Sequence, residues 1–228
     1  MKTIGVVGAI KEEINLLINK MDTVSTRNMI NTEFHAGKIA GKNVVLARSG
    51  MGKVNGAVCA QALIDAFGPD CIINTGIAGA VAPSINPGDV VISRDLIQHD
   101  YDNIYDQTGE NAPPPGGSVK ANPNLIELAE RAFVPKGYQV LTGRIATGDQ
   151  FIASRERKTI LWDTYGAQCV EMEGGAIAQA CFLNRVPFVV IRTVSDKADE
   201  EAIININEFV KMAADRSGSG VAKMLELM

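Results

Sequence analysis

The sequence is poor in the residues from which metal and redox sites are built. Its two histidines, His35 and His99, stand away from any cysteine or carboxylate pattern with the spacing of zinc ligands. Its four cysteines lie far apart in apolar surroundings, without a C-x-x-C motif, which is typical of reduced thiols buried in a cytoplasmic protein. We therefore expect a cytoplasmic protein with no metal site.

A strong charge excess and a long apolar run are also absent. A formal net charge of −4 over 228 residues gives no basic surface for nucleic acid or for an anionic membrane. No stretch reaches the roughly 18 apolar residues of a spanning helix, and the apolar start IGVVGAI is followed at once by charged residues. The composition therefore favours small molecules as partners.

Apolar, β-branched segments bounded by Gly, Pro or Asp recur along the chain and predict strands, several of them buried on both faces. They cover residues 3–7, 44–47, 71–74, 89–93, 144–147, 169–172 and 188–194. Helical periodicity predicts helices from residue 10, over 53–67 and 173–184, and from 207 to near the C-terminus. This alternation predicts one α/β domain over residues 1–228, a three-layer α/β/α fold with a central mixed, mainly parallel sheet.

Residues 98–123 form the longest irregular stretch and contain the segment NAPPPGG. The stretch is too long for an ordinary connection between elements. A mobile lid, a subunit-contact loop and a plain surface excursion all fit it.

Three acidic residues, Glu13, Glu173 and Asp196, each follow a predicted strand. Because ligands of open α/β sheets bind beyond the carboxyl ends of strands, we expect the three carboxylates to meet in one crevice. On a helix that begins near Ile10, Glu13 falls at the border of the apolar stripe and Glu12 points to solvent. The helical projection therefore selects Glu13 for the pocket.

Two glycine-rich segments, SGMGK at 49–53 and NTGIAGA at 74–80, each follow a predicted strand. We predict turns there, where missing side chains let a ligand approach the backbone, with Met51, Ala78 and Gly79 as binding residues. Neither segment matches the dinucleotide G-x-G-x-x-G pattern or a P-loop. Nicotinamide and nucleoside triphosphate chemistry therefore have no support.

Seven motifs in order carry a family resemblance. They are GAIKEEI at 8–14, SGMGKVNGA at 49–57, IINTGIAGA at 72–80, PGDVVIS at 87–93, TGDQFI at 147–152, VEMEGGAIAQAC at 170–181 and PFVVIRTVSDKAD at 187–199. With them the chain resembles, from end to end, the bacterial 5′-methylthioadenosine/S-adenosylhomocysteine nucleosidases of the nucleoside phosphorylase superfamily. The resemblance implies a nucleoside phosphorylase-like fold, a homodimer, no cofactor, and hydrolysis of both nucleosides to adenine and a thioribose in methionine salvage.

The resemblance also implies roles for individual residues. Asp196, held by Ser195, would protonate N7 of adenine, for which its pKa must be raised. Glu13 would deprotonate the water that attacks C1′, and Glu173 would bind the ribose hydroxyls. The other implied binding residues are Phe151 and Ile152 at the adenine, Glu171 and Met172 at the ribose, Ile10, Met51, Ile206 and Phe209 at the 5′-alkylthio group, and Arg192 near the acids.

Two alternatives remain open from the sequence. A phosphorolytic relative would need basic or hydroxyl ligands, but Asn74 and Ile77 stand where such enzymes carry arginine and serine, which leaves Arg48 as a candidate phosphate ligand. Ile77 also departs from the serine common in the nucleosidases. A non-catalytic nucleoside-binding protein would be expected to lack one of the three acids. The sequence does not select among methylthioadenosine, S-adenosylhomocysteine, 5′-deoxyadenosine and aminodeoxyfutalosine.

Overall fold

Ten strands and six helices make up the part of the chain that the computed structural model describes, residues 2–101, 117–199 and 202–228, without the side chains of 23–24 and 203–208. The strands are β1 Thr3–Gly8, β2 Asp22–Met29, β3 Thr32–Ile39, β4 Lys42–Arg48, β5 Cys71–Ala80, β6 Val90–Gln98, β7 Val119–Lys120, β8 Val140–Thr147, β9 Cys169–Glu171 and β10 Phe188–Asp196. The helices are α1 Lys11–Asn19, α2 Lys53–Phe67, α3 Pro123–Ala132, α4 Arg155–Tyr165, α5 Gly174–Leu183 and α6 Ala202–Leu227.

The strands form one mixed sheet, half of which closes on itself. β5 pairs in parallel with β1 and β10 and antiparallel with β9. β10 continues antiparallel to β6, β6 parallel to β8, and β8 parallel to β9, which completes a ring of five strands. From β1 the sheet extends outward through β4, β3 and β2. The predicted mixed α/β class is confirmed.

Two glycines of β1 show how helices cover both faces of the sheet. A Cβ on Gly5 would lie 2.8 Å from Leu63 of α2, and one on Gly8 would lie 2.7 Å from Ile14 of α1. Positions three apart on a strand point to opposite faces, so α1 and α2 lie in different layers. α5 packs beside α2, and α6 packs beside α1. The missing side chain of Gly8 also lets the start of α1 approach the end of β1.

The predicted helix over 53–67 agrees with α2 at both ends, and α6 begins five residues before its predicted start. The prediction of a turn over 74–80 is wrong, because these residues form the second half of β5. The small residues of this segment let side chains of neighbouring elements pack closely against the strand. A Cβ on Gly76 would overlap the Arg192 guanidinium and the Glu13 carboxylate.

The prediction for residues 98–123 falls mainly on 102–116, which lie outside the described residues. Its described ends are the end of β6, the short strand β7 and the start of α3. Among the helices described, none is both long and apolar enough to span a membrane.

Candidate active site

A cavity of about 160 Å³ lies where the ends of β1, β9 and β10 meet the second half of β5. Its walls come from the start of α1, the 49–53 turn, the segment after β8 and α6. The lining residues are Ala9, Ile10, Glu13, Met51, Ile77, Ala78, Gly79, Gln150, Phe151, Ile152, Val170, Glu171, Met172, Glu173, Ser195, Asp196 and Val210. Glu13, Glu173 and Asp196 therefore share one cavity, as the sequence predicts.

Glu13 sits in the first turn of α1 and is only 2% exposed, whereas Glu12 is exposed. One of its carboxylate oxygens accepts hydrogen bonds from the N–H groups of Ala9 at 2.6 Å and Ile10 at 3.1 Å. The other accepts from Ile77 N–H at 2.9 Å. Burial raises the pKa of Glu13, although Arg192 and these N–H groups oppose the shift. The carboxylate is thus fixed in place with an increased affinity for a proton.

The hydrogen bond from Ile77 to Glu13 does not depend on which side chain stands at position 77. Ile77 holds Glu13 through its backbone N–H, which any residue other than proline supplies. Its side chain adds an apolar surface to the cavity wall.

Asp196 ends β10 at an irregularity in the pairing with β5. Its Oδ2 accepts a hydrogen bond from the Ser195 hydroxyl at 2.8 Å, and its Oδ1 accepts one from Ala198 N–H at 2.9 Å. Burial raises the pKa of Asp196 against these bonds. A Cβ on its partner Gly79 would lie 2.8 Å from Oδ1, so the glycine leaves space for the carboxyl group. The site thus increases the affinity of Asp196 for a proton.

Glu173 stands at the N-terminus of α5, and its Oε1 accepts a hydrogen bond from Gly52 N–H at 2.8 Å. Burial, followed by repulsion from Glu171, raises the pKa of Glu173 to about 7. Arg192 opposes the shift, with its Nη2 at 3.6 Å from Glu173 Oε2. Glu173 therefore changes charge near neutral pH.

Arg192 lies in the middle of β10, is fully buried, and is placed behind the cavity rather than in its lining. Its Nη2 donates to Asn74 Oδ1 at 2.7 Å and forms an ion pair with Glu171. Glu13, Glu171 and Glu173 all raise the proton affinity of this guanidinium. The single positive charge of Arg192 cannot offset the charges of all three carboxylates, so protonation of one of the acids is favoured.

The Glu171 carboxylate is occupied by protein groups. Besides Arg192, it accepts hydrogen bonds from Glu173 N–H at 3.1 Å, from Gly174 N–H at 2.7 Å, and from the Thr147 hydroxyl. It lies at the cavity wall, yet these contacts fix the first turn of α5 and with it Glu173. Sequence reasoning missed Asn74 and Thr147, because their partners are far away in the chain.

The predicted binding residues fall into three groups. Those that line the cavity are Ile10, Met51, Ala78, Gly79, Phe151, Ile152, Glu171, Met172 and Ser195. Arg192 and Phe209 do not line it. Since neighbouring residues on a helix point about 100° apart, Val210 faces the cavity from α6 in place of Phe209. The side chain of Ile206 is outside the described residues.

Five lining residues were not among the predicted site residues: Ala9, Ile77, Gln150, Val170 and Val210. Ala9 directly precedes a predicted lining residue, and Val170 belongs to a predicted strand, so proximity could have suggested both. Gln150 directly precedes Phe151 in the TGDQFI motif, so proximity could have suggested it as well. In the described ranges, no group of three or more His, Cys, Asp or Glu side chains is placed to hold a metal ion.

Comparison with known proteins gives consistent matches over the whole chain. The family model described as "Phosphorylase superfamily" matches residues 3–226. A 5′-methylthioadenosine/S-adenosylhomocysteine nucleosidase of Bacillus anthracis is 39% identical in an alignment that covers 98% of each chain.

Solved structures agree with this match. The Neisseria meningitidis nucleosidase in complex with methylthio-immucillin-A superposes with a TM-score of 0.92 at 39% identity, over 100% of both chains. The futalosine hydrolase of Helicobacter pylori gives a TM-score of 0.91 at 30% identity, over 100% of this chain and 98% of that one.

Proposed function

The chain belongs to the 5′-methylthioadenosine/S-adenosylhomocysteine nucleosidases of the phosphorylase superfamily, and on this basis we propose that it hydrolyses the N-glycosidic bond of both nucleosides. The products are adenine and the corresponding 5′-thioribose. This reaction would serve methionine salvage and the recycling of S-adenosylmethionine by-products in the cytoplasm. The buried cluster of three acids around one cavity supports the proposal more than any other feature of the molecule.

In the proposed mechanism Asp196 is the general acid. Its raised pKa lets it carry a proton to N7 of adenine, so that the base leaves as a neutral molecule with the electron pair of the C1′–N9 bond. Ser195 and Ala198 N–H fix the orientation of the carboxyl group and stabilise the carboxylate that remains. Phe151 and Ile152, which also line the cavity, would enclose the base.

Glu13 is the proposed base. Departure of adenine leaves an oxocarbenium-like ribosyl group, and a water oxygen then bonds to C1′ while Glu13 takes its proton. Three backbone N–H groups hold the carboxylate so that it can orient this water. Exchange of protons with solvent returns Glu13 and Asp196 to their starting states.

Glu173 is the proposed acceptor for the ribose hydroxyls, next to Met172 in the cavity wall. Its ionised form would also stabilise the positive charge that develops on the sugar. Because its pKa is about 7, activity should require pH values at which the group is largely ionised.

The charge of the cavity wall favours water over phosphate as the nucleophile. Its lining contains four carboxyl groups and, among the described residues, no lysine, arginine or histidine. Arg48 lines a different hollow on the other side of Ile10, and Arg192 is engaged with Glu171. A phosphate dianion placed here would lack a cationic partner and would face like charges.

The test is an assay for adenine release from methylthioadenosine in phosphate-free buffer with a chelator. We expect adenine and methylthioribose at the same rate with and without added phosphate. Release that depends on phosphate, with a sugar 1-phosphate as the second product, would show a phosphorylase. Tight binding without any release would show a nucleoside-binding protein.

We also propose that the chain forms a homodimer through an apolar face on α2 and α5. Large exposed apolar side chains on these helices and beside the cavity mouth are Met51, Val54, Val58, Phe151, Phe182 and Leu183. The face reaches the cavity, so a second copy would shield the 5′ end of the substrate from water.

Sedimentation should give the mass of two chains, and Val58→Glu should give one chain with reduced activity. Ile160→Glu, at an exposed apolar residue of α4 outside this face, is the matched control and should remain dimeric. A wild-type chain that sediments as a monomer at micromolar concentration contradicts the proposal.

A further inference from the structure

Three side chains from separate segments meet beside the candidate active site. The Lys53 ammonium group, at the start of α2, lies 2.7 Å from Asp100 Oδ1. The other oxygen of Asp100 accepts a hydrogen bond from Asp149 N–H at 2.8 Å. Asp149 Oδ1 in turn accepts one from Lys53 N–H at 2.7 Å. Lys53, Asp100 and Asp149 thus form a closed cycle of contacts, which we call the clamp.

The clamp is partly shielded from water, since the side chains of Lys53 and Asp100 are 18% and 16% exposed. Burial opposes ionisation of Asp100, but Lys53 and Asp149 N–H reverse the effect and lower its pKa. The ion pair is therefore present throughout the neutral range. Such a pair contributes more to local order than one in open solvent.

Each side of the clamp is connected to a different part of the cavity. Gly52, directly before Lys53, donates its N–H to Glu173. Asp149 precedes Phe151 and Ile152, which line the cavity where we place the base. The clamp thus links the group proposed to bind the ribose to the segment proposed to bind the adenine.

The backbone of the 49–53 turn contains two glycines and therefore depends on outside contacts to fix its conformation. Gly50 and Gly52 both have positive φ, at 83° and 95°, and glycine restrains the backbone less than any other residue. A Cβ on Gly52 would lie 3.0 Å from Asp149 Oδ1, so this side of the clamp depends on a close approach that only glycine permits without displacement. Without the clamp, the Gly52 N–H would have several directions available.

We propose that Lys53, Asp100 and Asp149 are positioning residues that hold Gly52 N–H on Glu173 and so couple ribose binding to base binding. The inference rests on the proposed nucleosidase function. None of the three side chains lines the cavity, so they act through Glu173 and through the 149–152 segment.

Asp100→Asn is the most conservative test, since asparagine keeps the size and can still accept from Asp149 N–H while the charge opposite Lys53 is lost. We expect kcat/KM for methylthioadenosine to fall about tenfold, within the usual range of couplings between contacting groups, with most of the change in KM. A purely structural defect would instead reduce the fraction of active protein, and hence kcat, at unchanged KM.

The pH profile provides a second readout. Glu173 is faced by Glu171 on β9, Arg192 on β10, Glu13 on α1 and the Gly52 N–H. Loosening the Gly52 N–H removes a hydrogen bond that favours the ionised form of Glu173. The acidic limb of log kcat/KM against pH should therefore move upward by about half to one unit in Asp100→Asn.

A double-mutant cycle with Glu173→Gln decides whether the clamp acts through Glu173. In that background Asp100→Asn should cost less than about twofold in kcat/KM, because the group it positions has already lost its charge. Asp95→Asn is the matched control. It too breaks an ion pair of a carboxylate, here a more buried one away from the cavity, and should give the same factor in both backgrounds.

Equal losses from Asp100→Asn with and without Glu173, or an unmoved acidic limb, would overturn the proposal while leaving the nucleosidase function intact. Failure of the function itself would be seen separately, as wild-type protein that releases no adenine. Binding of methylthio-immucillin-A, measured by calorimetry, should show the same pattern of coupling without depending on turnover.

Discussion

Two groups of buried carboxylates in this molecule have nearly equal exposure and opposite acidity. Glu13 and Asp196 in the cavity are each 2% exposed, and Asp95 on β6 is 3% exposed. Burial opposes ionisation of Asp95, but hydrogen bonds from Arg144 and Ser118 and the charges of Arg144 and Arg94 reverse the effect and lower its pKa. In the cavity, burial prevails and the pKa values of the acids are raised.

The difference lies in the groups that each carboxylate contacts. Asp95 Oδ2 accepts two hydrogen bonds from Arg144, at 2.6 and 2.9 Å, and Oδ1 accepts one from Arg94 at 3.1 Å. The cavity acids are held mainly by backbone N–H groups and a hydroxyl, which orient a carboxyl group without adding a full charge. Burial alone therefore does not decide the acidity of a carboxyl group; the groups that contact it do.

The largest effect should come from Glu13→Gln, compared with Glu12→Gln. Glutamine keeps the size of Glu13 but cannot accept a proton from water. Turnover of methylthioadenosine should fall by about 10²–10⁴, the usual contribution of a positioned base.

Glu12 is exposed on the other side of α1, and its substitution should change stability by no more than about 0.5 kcal/mol. Adenine release and thermal unfolding, measured together, separate lost chemistry from lost structure. Equal activity losses in the two variants would mean that Glu13 is not the base.

Asp196→Asn should have a similar effect on turnover for a different reason. Asparagine preserves the shape of the side chain and can still accept a hydrogen bond from Ala198 N–H, but it has no proton to give to N7. We expect kcat to fall by about 10²–10⁴ while an uncleavable adenosine analogue still binds within about threefold of wild type. Rapid-quench kinetics and calorimetry measure the two quantities. Turnover within tenfold of wild type would remove Asp196 from the proposed acid role.

Part of this contrast could be predicted from the sequence. The apolar stripe of α1 is local, so it correctly separated buried Glu13 from exposed Glu12. The end of α2 was equally local, because Gly68 adopts the left-handed conformation that commonly follows a helix. Asp196 ends a strand that begins with the apolar run Phe188–Ile191, which predicted the strand.

The rest depends on contacts that are distant in sequence. β9 runs antiparallel to β5, so an argument from parallel strand ends does not by itself bring Glu173 to the cavity; the pairing of β9 with β8 does. The hairpin of β2 and β3 was missed because β3 buries few side chains, such as Phe34 and Ile39, and its apolar pattern is weak. Nothing local shows that Arg144 pairs with Asp95 while Arg192 pairs with Glu171.

Asp95→Asn should reduce stability rather than activity. It leaves Arg144, which is about three-quarters buried, without its charged partner, and we expect a loss of about 1–3 kcal/mol at pH 7. Because the folded-state pKa of Asp95 is lowered, its contribution is present above the unfolded value and is lost as the pH falls through the folded one. Urea unfolding should therefore show a difference between variant and wild type that shrinks towards pH 3. A constant difference would mean that the charge of Asp95 is not what stabilises the protein.

Glu173→Gln should have the smallest effect and the opposite sign. The pKa of Glu173 is raised from 4.5 to about 7, so between these values the folded protein binds more protons than the unfolded chain, and stability falls as the pH rises. Above pH 7 the wild type carries the full cost of an ionised, buried carboxylate, which the neutral amide avoids while it still accepts from Gly52 N–H. The raised pKa already includes the opposing attraction to Arg192, so we expect a gain of at least about 1 kcal/mol at pH 8, or a rise in Tm of at least about 2–4 °C. Well below pH 4.5 both side chains are neutral in the folded protein and in the unfolded chain, and the two unfolding curves should coincide. A variant that is less stable than wild type at pH 8 would show that Arg192 stabilises Glu173 as fully as Arg144 stabilises Asp95, and the distinction between the two groups of acids would fail at this residue.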